Sequence, residues 1–116
     1  LVSHSLGSWM ANVYLDQRNR SEAMPYAAWV CIGLTGGFQT RMLGIDWPML
    51  RVGIPILDVY GEADLVQSVE AAPRRARSIE SNAGSRQIRI AGADHFHAGK
   101  EKELTAAIAA FLEELK

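Results

Sequence analysis

The sequence predicts an α/β fold: a mostly parallel sheet of about four strands flanked by helices. Short apolar runs suited to strands alternate with longer segments whose apolar residues recur at helical spacing. That order gives parallel strands joined by right-handed crossovers. The chemistry-bearing side chains fall in turns that follow the strands, where open α/β sheets keep their sites. With 116 residues, 48% of them hydrophobic, the chain can bury one core and is a single domain or part of one.

Taken in order, the first element is a short apolar run that leads through Ser3-His4-Ser5-Leu6-Gly7 into an amphipathic segment. This is the strand, sharp turn and helix of a nucleophile elbow, with Ser5 at its tip. A strained backbone at the tip calls for small residues two before and two after it, here Ser3 and Gly7. The Leu6 N–H then lies at a helix N-terminus, where it can face a developing oxyanion. Leu6, Met10, Val13 and Tyr14 mark the expected buried face of that helix, which ends near the polar run 16–20, and Trp9 and Met10 read as core. Ser21, Glu22 and Pro25 read as a turn.

Residues 27–34 are a continuous apolar run suited to a strand covered on both faces, punctuated by Gly33, Gly36 and Gly37. In the stretch 38–53, Asp46, Trp47 and Pro48 suit an N-cap followed by a short helix. Residues 55–60 form the third strand, ended by Gly61, with Glu62, Ala63 and Asp64 in the loop at its carboxyl end. Leu65, Val69, Ala72, Ala76 and Ile79 trace a helix that Pro73 must kink or start, and Asn82, Ala83 and Gly84 close it. Residues 87–90 form the fourth strand, and the loop 91–97 carries Asp94, His95 and His97. Leu104, Ile108, Phe111, Leu112 and Leu115 define the face of a final helix whose first turn holds Glu101 and Glu103. There is no internal repeat and no low-complexity segment.

A formal net charge of -1 and a pI near 6.3 give no overall reason to expect nucleic acid or an anionic membrane as partner. Arg74, Arg75, Arg77, Arg86 and Arg89 read as a solvated face. The single cysteine, Cys31, excludes an intrachain disulfide and lies in an apolar run, so it reads as core. No run approaches the roughly 20 apolar residues that span a bilayer, and residues 1–116 carry no signal-peptide pattern, which says nothing of what precedes Leu1. The sequence assigns no localisation.

Acyl transfer by a serine needs a base for the hydroxyl proton and a carboxylate that holds that base in the right tautomer. Asp64 and His95 follow Ser5 in the chain, each in a loop at a strand end. His97 is the rival of His95, and Glu62 the substitute for Asp64; Asp58 lies inside a strand, and Asp94 is adjacent to His95 in sequence. His4 reads as a packed or hydrogen-bonded neighbour of the elbow. A metal site from Asp94, His95 and His97 has no further cysteine or histidine to support it. Neither a metal nor a cofactor is expected.

Ser3-His4-Ser5-Leu6-Gly7 resembles the Gly-x-Ser-x-Gly elbow of the α/β-hydrolase superfamily, with Ser3 in the first glycine's place. Gly61-Glu62-Ala63-Asp64 is similar to the Gly-x-x-Asp that carries that family's acid, and Gly92-Ala93-Asp94-His95-Phe96 to the Gly-x-x-His-Phe that carries its histidine. Pro55-Ile56-Leu57-Asp58-Val59-Tyr60-Gly61 further resembles uncharacterised bacterial hydrolases related in appearance to dienelactone hydrolase. The resemblance implies that residues 1–116 are the C-terminal portion of a single α/β-hydrolase domain. It also implies catalytic roles: Ser5 as nucleophile, His95 as general base and then acid, Asp64 as its orienting carboxylate, and Leu6 N–H as one oxyanion donor.

Serine at position 5 departs from dienelactone hydrolases, which use cysteine, and from haloalkane dehalogenases, which use aspartate. A small-molecule ester, thioester or amide is therefore the expected substrate. Many members insert a lid where residues 38–53 lie; this stretch is short for one, which implies an open cleft. The family's earlier strands and helices, with the loop that gives the second oxyanion N–H, would precede Leu1, and losing one such donor typically costs on the order of a hundredfold to a thousandfold in rate. The alternative expectation is a non-catalytic half-domain that pairs its open sheet edge with a second copy, the N-terminal half or another chain.

Overall fold

A computed structural model of the chain describes residues 1–21, 23–35 and 52–116. The short helix expected after Asp46 and the cleft inferred from its stretch lie outside the described residues, as does Glu22. The four strands β1 (Val2–His4), β2 (Trp29–Ile32), β3 (Ile56–Ala63) and β4 (Arg86–Asp94) form one sheet in that order, every neighbouring pair parallel. The helices α1 (Leu6–Ser21), α2 (Val66–Ile79) and α3 (Glu101–Glu114) flank it. The α/β class read from the alternation is the observed one.

Strand β2 is all apolar because both of its faces are covered. Period-two alternation sends Trp29, Cys31 and Ile56 to one face, where Leu15 of α1 and Ile79 of α2 close a core with Leu34, Val52 and Ile54. Ala28, Val30, Ile32, Leu57 and Val59 face the other way, onto Phe111 of α3, with Ile90 and Ala93. Burying a side chain such as Phe111 contributes about 1.5–3 kcal/mol.

Strand bounds differ from the expectation in an informative way. β2 is shorter than its apolar run, since Gly33 turns to a φ of 60° immediately after Ile32. β3 and β4 are longer, because a register shift between Gly61 and Ala63 lets pairing resume at Ala63 and Asp94. Gly61 therefore does not end its strand.

Helix α1 is rotated from the expected phase. Ser8, Asn12, Leu15 and Asp16 are buried, whereas Leu6, Met10 and Tyr14 are 53%, 60% and 41% exposed. The backbone turn before the helix fixes its rotation: the Ser8 hydroxyl donates to the Ile32 carbonyl at 3.1 Å, which keeps this polar face on the sheet. Leu15 and half-buried Trp9 and Ala11 supply the apolar contact.

In α2, Pro73 lies inside the helix and does not start it. Arg75 is not on a solvated face. It is fully buried and paired with Asp58 at 2.8 Å, and it also donates to the Ser68 and Leu34 carbonyls. A buried guanidinium is tolerated only with such partners. On α3 the covered stripe is Leu104, Ile108, Phe111 and Leu115, and Leu112, one residue off that stripe, is exposed.

Candidate active site

β1 ends at His4, and Ser5 takes a φ of 57°, a left-handed conformation that costs a non-glycine residue roughly 1–2 kcal/mol. Backbone bonds over-determine it. The Ser5 N–H donates to the Ile32 carbonyl at 2.8 Å, and the Ser5 carbonyl accepts from the N–H groups of Ser8 and Trp9. The turn carries the Ser5 hydroxyl to the carboxyl end of the sheet. As the first residue of α1, Leu6 has an N–H with no intrahelical acceptor.

Ser3 is one of the two small residues the turn was expected to call for, and its hydroxyl has partners. It accepts from buried Trp29 Nε1 at 2.8 Å and lies 3.0 Å from the Ser8 hydroxyl. Gly7 differs from its expected role: a Cβ there meets nothing within 4 Å among the described residues. Its side of α1 faces outward, away from the sheet.

The other two candidate residues reach the same edge through β3 and β4. The strands approach so closely at the register shift that a Cβ on Gly61 would stand 2.2 Å from the Ala93 carbonyl oxygen. Beyond it, Asp64 accepts from the Leu65 N–H at 2.7 Å and the Gly61 N–H at 3.3 Å. The turn after β4 brings His95 across to meet it.

His95 Nδ1 is 2.6 Å from Asp64 Oδ1, and His95 Nε2 is 2.7 Å from Ser5 Oγ. An ionised carboxylate can only accept, so Nδ1 carries the proton and Nε2 of the neutral ring is left to accept from the Ser5 hydroxyl. Asp64 and His95 are both buried, each 8% exposed, which strengthens the bond between them. The arrangement can take a proton from Ser5 and hold the resulting imidazolium beside a carboxylate.

The rival residues are placed otherwise. His97 is buried with a φ of 56° and a ring Nε2 that has no hydrogen-bond partner among the described residues, and burial pushes its imidazole below the ordinary value, against the opposing pull of Asp64 and Asp94. Glu62 is exposed and accepts from the Gly92 N–H at 2.8 Å. Asp58 is bound to Arg75 and Gln87. Asp94 caps its own loop, accepting from the Phe96 and Ala98 N–H groups, bonds that hold its carboxyl below the usual range. Cys31 is buried within strand β2, where desolvation and then the charge of Asp58 push its thiol well up. Among the described residues no group of three or more His, Cys, Asp or Glu side chains could hold a metal ion, and no helix is long and apolar enough to cross a membrane.

Gly33 went unnoticed in the sequence except as strand punctuation. It sits under the pair: a Cβ there would lie 3.1 Å from both Cε1 and Nδ1 of His95 and 3.5 Å from Asp64 Oδ2. The only sequence signal was a glycine at the carboxyl end of a buried strand.

No protein-family model matches the sequence, and no curated protein matches it. Solved structures share its fold. A protein of unknown function from Agrobacterium tumefaciens, described as an alpha/beta hydrolase, aligns over 97% of this chain and 48% of its own, with a TM-score of 0.72 and 19% identity. Est1E from Butyrivibrio proteoclasticus aligns over 98% and 60%, at 0.74 and 14%. A CIB-like hydrolase from Thermoplasma acidophilum aligns over 98% and 49%, at 0.65 and 17%. At these identities the likeness is one of fold, and this chain spans 48% to 60% of the length of the three.

Proposed function

We propose that this chain is the C-terminal part of a serine hydrolase domain that cleaves a small-molecule ester, thioester or amide through an acyl-enzyme. The observation that carries the reading is the continuous chain of hydrogen bonds from Asp64 through His95 to Ser5, at 2.6 and 2.7 Å, with Ser5 on a strained turn before a helix. Ser5 Oγ attacks the acyl carbon while its proton passes to His95 Nε2. Leu6 N–H donates to the oxyanion. The imidazolium, stabilised by Asp64, returns the proton to the leaving alcohol, thiol or amine as the acyl bond breaks. Water then attacks the acyl-serine, giving its proton to His95, and the acid leaves as Ser5 is reprotonated.

That the domain extends beyond this chain is supported by two surfaces and by the length of the solved neighbours. The outward face of α1 exposes Leu6, Met10 and Tyr14, and Val2 on the edge strand β1 is 59% exposed. Both features suit burial against further strands and helices. The same surfaces favour a second reading, a half-domain that associates with a copy of itself without catalysis; a concentration-independent monomer in sedimentation would count against it. The catalytic reading is tested with p-nitrophenyl acetate. It requires a burst of nitrophenol and an acetyl group on the Ser5 peptide, both lost in Ser5→Ala, and it requires Asp64→Asn to slow acylation by about a hundredfold or more, since the imidazole would lose its oriented tautomer. Acetyl transfer to another residue, or an unchanged rate in Asp64→Asn, would contradict it.

A further inference from the structure

We propose that His4 is a positioning residue that ties the loop carrying His95 to the turn carrying Ser5, an inference that rests on the acyl-transfer reading above. His4 Nε2 lies 2.7 Å from the His95 carbonyl oxygen, a contact between residues 91 positions apart. A carbonyl can only accept, so His4 Nε2 carries the hydrogen and its tautomer is fixed. β4 ends at Asp94, so the His95 carbonyl lies just beyond the strand. Among the described residues its acceptor capacity is met by His4. The neighbouring bonds in this loop, from Phe96 and Ala98 N–H to Asp94 and from Lys100 N–H to the His97 carbonyl, close the loop on itself. The bond from His4 anchors it to the opposite side of the site.

The side chain of His95 is held at both nitrogens, by Asp64 and Ser5, and the backbone that carries it is held by the residue preceding Ser5. Nucleophile and base are thereby joined twice, once through their reacting atoms and once through the chain behind them. The His4 ring also lies 4.8 Å from the His95 ring, tilted by 38°, and 5.8 Å from the Phe96 ring. Two substitutions separate the ring contact from the hydrogen bond. His4→Phe keeps a ring and removes the donor, whereas His4→Gln removes the ring and keeps an N–H donor at similar reach.

The experiment measures the rate of Ser5 modification by a fluorophosphonate and the NMR signal of the His95 Nδ1 proton shared with Asp64, in the 116-residue chain and both variants, with folding checked by circular dichroism. The expected result is a loss of about tenfold or more in labelling for His4→Phe, because small misplacements of reacting groups cost rate steeply, and near recovery in His4→Gln. The Nδ1 proton signal should move in His4→Phe and return in His4→Gln. Equal labelling of the native chain and His4→Phe would overturn the role of His4 and leave the Ser5 reading standing. The NMR comparison needs no turnover. A signal that follows the donor supports the tie even in a chain that fails to label, and a signal unmoved in His4→Phe overturns it.

Discussion

Replacing Gly33 by alanine should uncouple the stability of the fold from the alignment of its site. Gly33 has a φ of 60°, so the added side chain costs roughly 1–2 kcal/mol in backbone strain. For a chain of this size each kcal/mol lowers Tm by about 3–6 °C. The methyl group would also stand 3.1 Å from two atoms of the His95 ring, where ordinary carbon contacts begin near 3.5 Å. The ring must retreat by about 0.4 Å, and the retreat is taken up in the bonds to Asp64 and Ser5. If a misplacement of about 1 Å costs on the order of a hundredfold, this one costs about fivefold to tenfold in rate.

The control is Gly84→Ala, in the turn before β4 at the other end of the sheet. Its φ is 80°, and its added Cβ meets Pro55 at 3.4 Å, an ordinary contact. Both variants should lose similar stability in urea or thermal melts, and Gly33→Ala alone should label slowly with a fluorophosphonate at Ser5. A Gly33→Ala protein that is destabilised like Gly84→Ala yet labels at the native rate would refute the claim that the glycine keeps space for the imidazole.

Arg75→Met should destabilise the chain by about 3–5 kcal/mol, since it leaves the fully buried Asp58 carboxylate without its cation, and the double variant Asp58→Leu/Arg75→Met should recover most of that in denaturant melts. Stability should also fall as pH drops below 6.5 in a manner that His97→Phe flattens. The His97 imidazole is held below that value in the folded chain, so in this window the unfolded state binds the extra proton, and mass action favours unfolding as pH falls. Urea midpoints of the two proteins across that range check the slope.

Much of this arrangement was legible because it is written in local rules. The alternation of apolar runs and helical stripes fixed the class, and Ser5, Asp64 and His95 each stand in a turn whose backbone the sequence announces with small residues. What was not legible depends on pairing across the sheet. The phase of α1 is set by the Ser8 hydroxyl on the Ile32 carbonyl, so its apolar stripe at Leu6, Met10 and Tyr14 faces outward, against what hydrophobic periodicity implies. Arg75 reads as one arginine among several until Asp58 is found opposite it. Gly33 and Gly61 read as punctuation, and their importance lies in which atoms approach them, His95 in one case and the Ala93 carbonyl in the other. A register shift decides that the loops after β3 and β4 meet, and no residue type encodes it alone.

In the proposed mechanism Ser5 is a nucleophile activated by His95 within this chain. The most direct test is to treat the folded 116-residue protein with a fluorophosphonate and locate the adduct by peptide mass spectrometry beside Ser5→Ala. The expected result is a single adduct on Ser5 that is absent from the variant. A folded chain that carries no adduct, or carries it on another residue at a rate unchanged in Ser5→Ala, would contradict it.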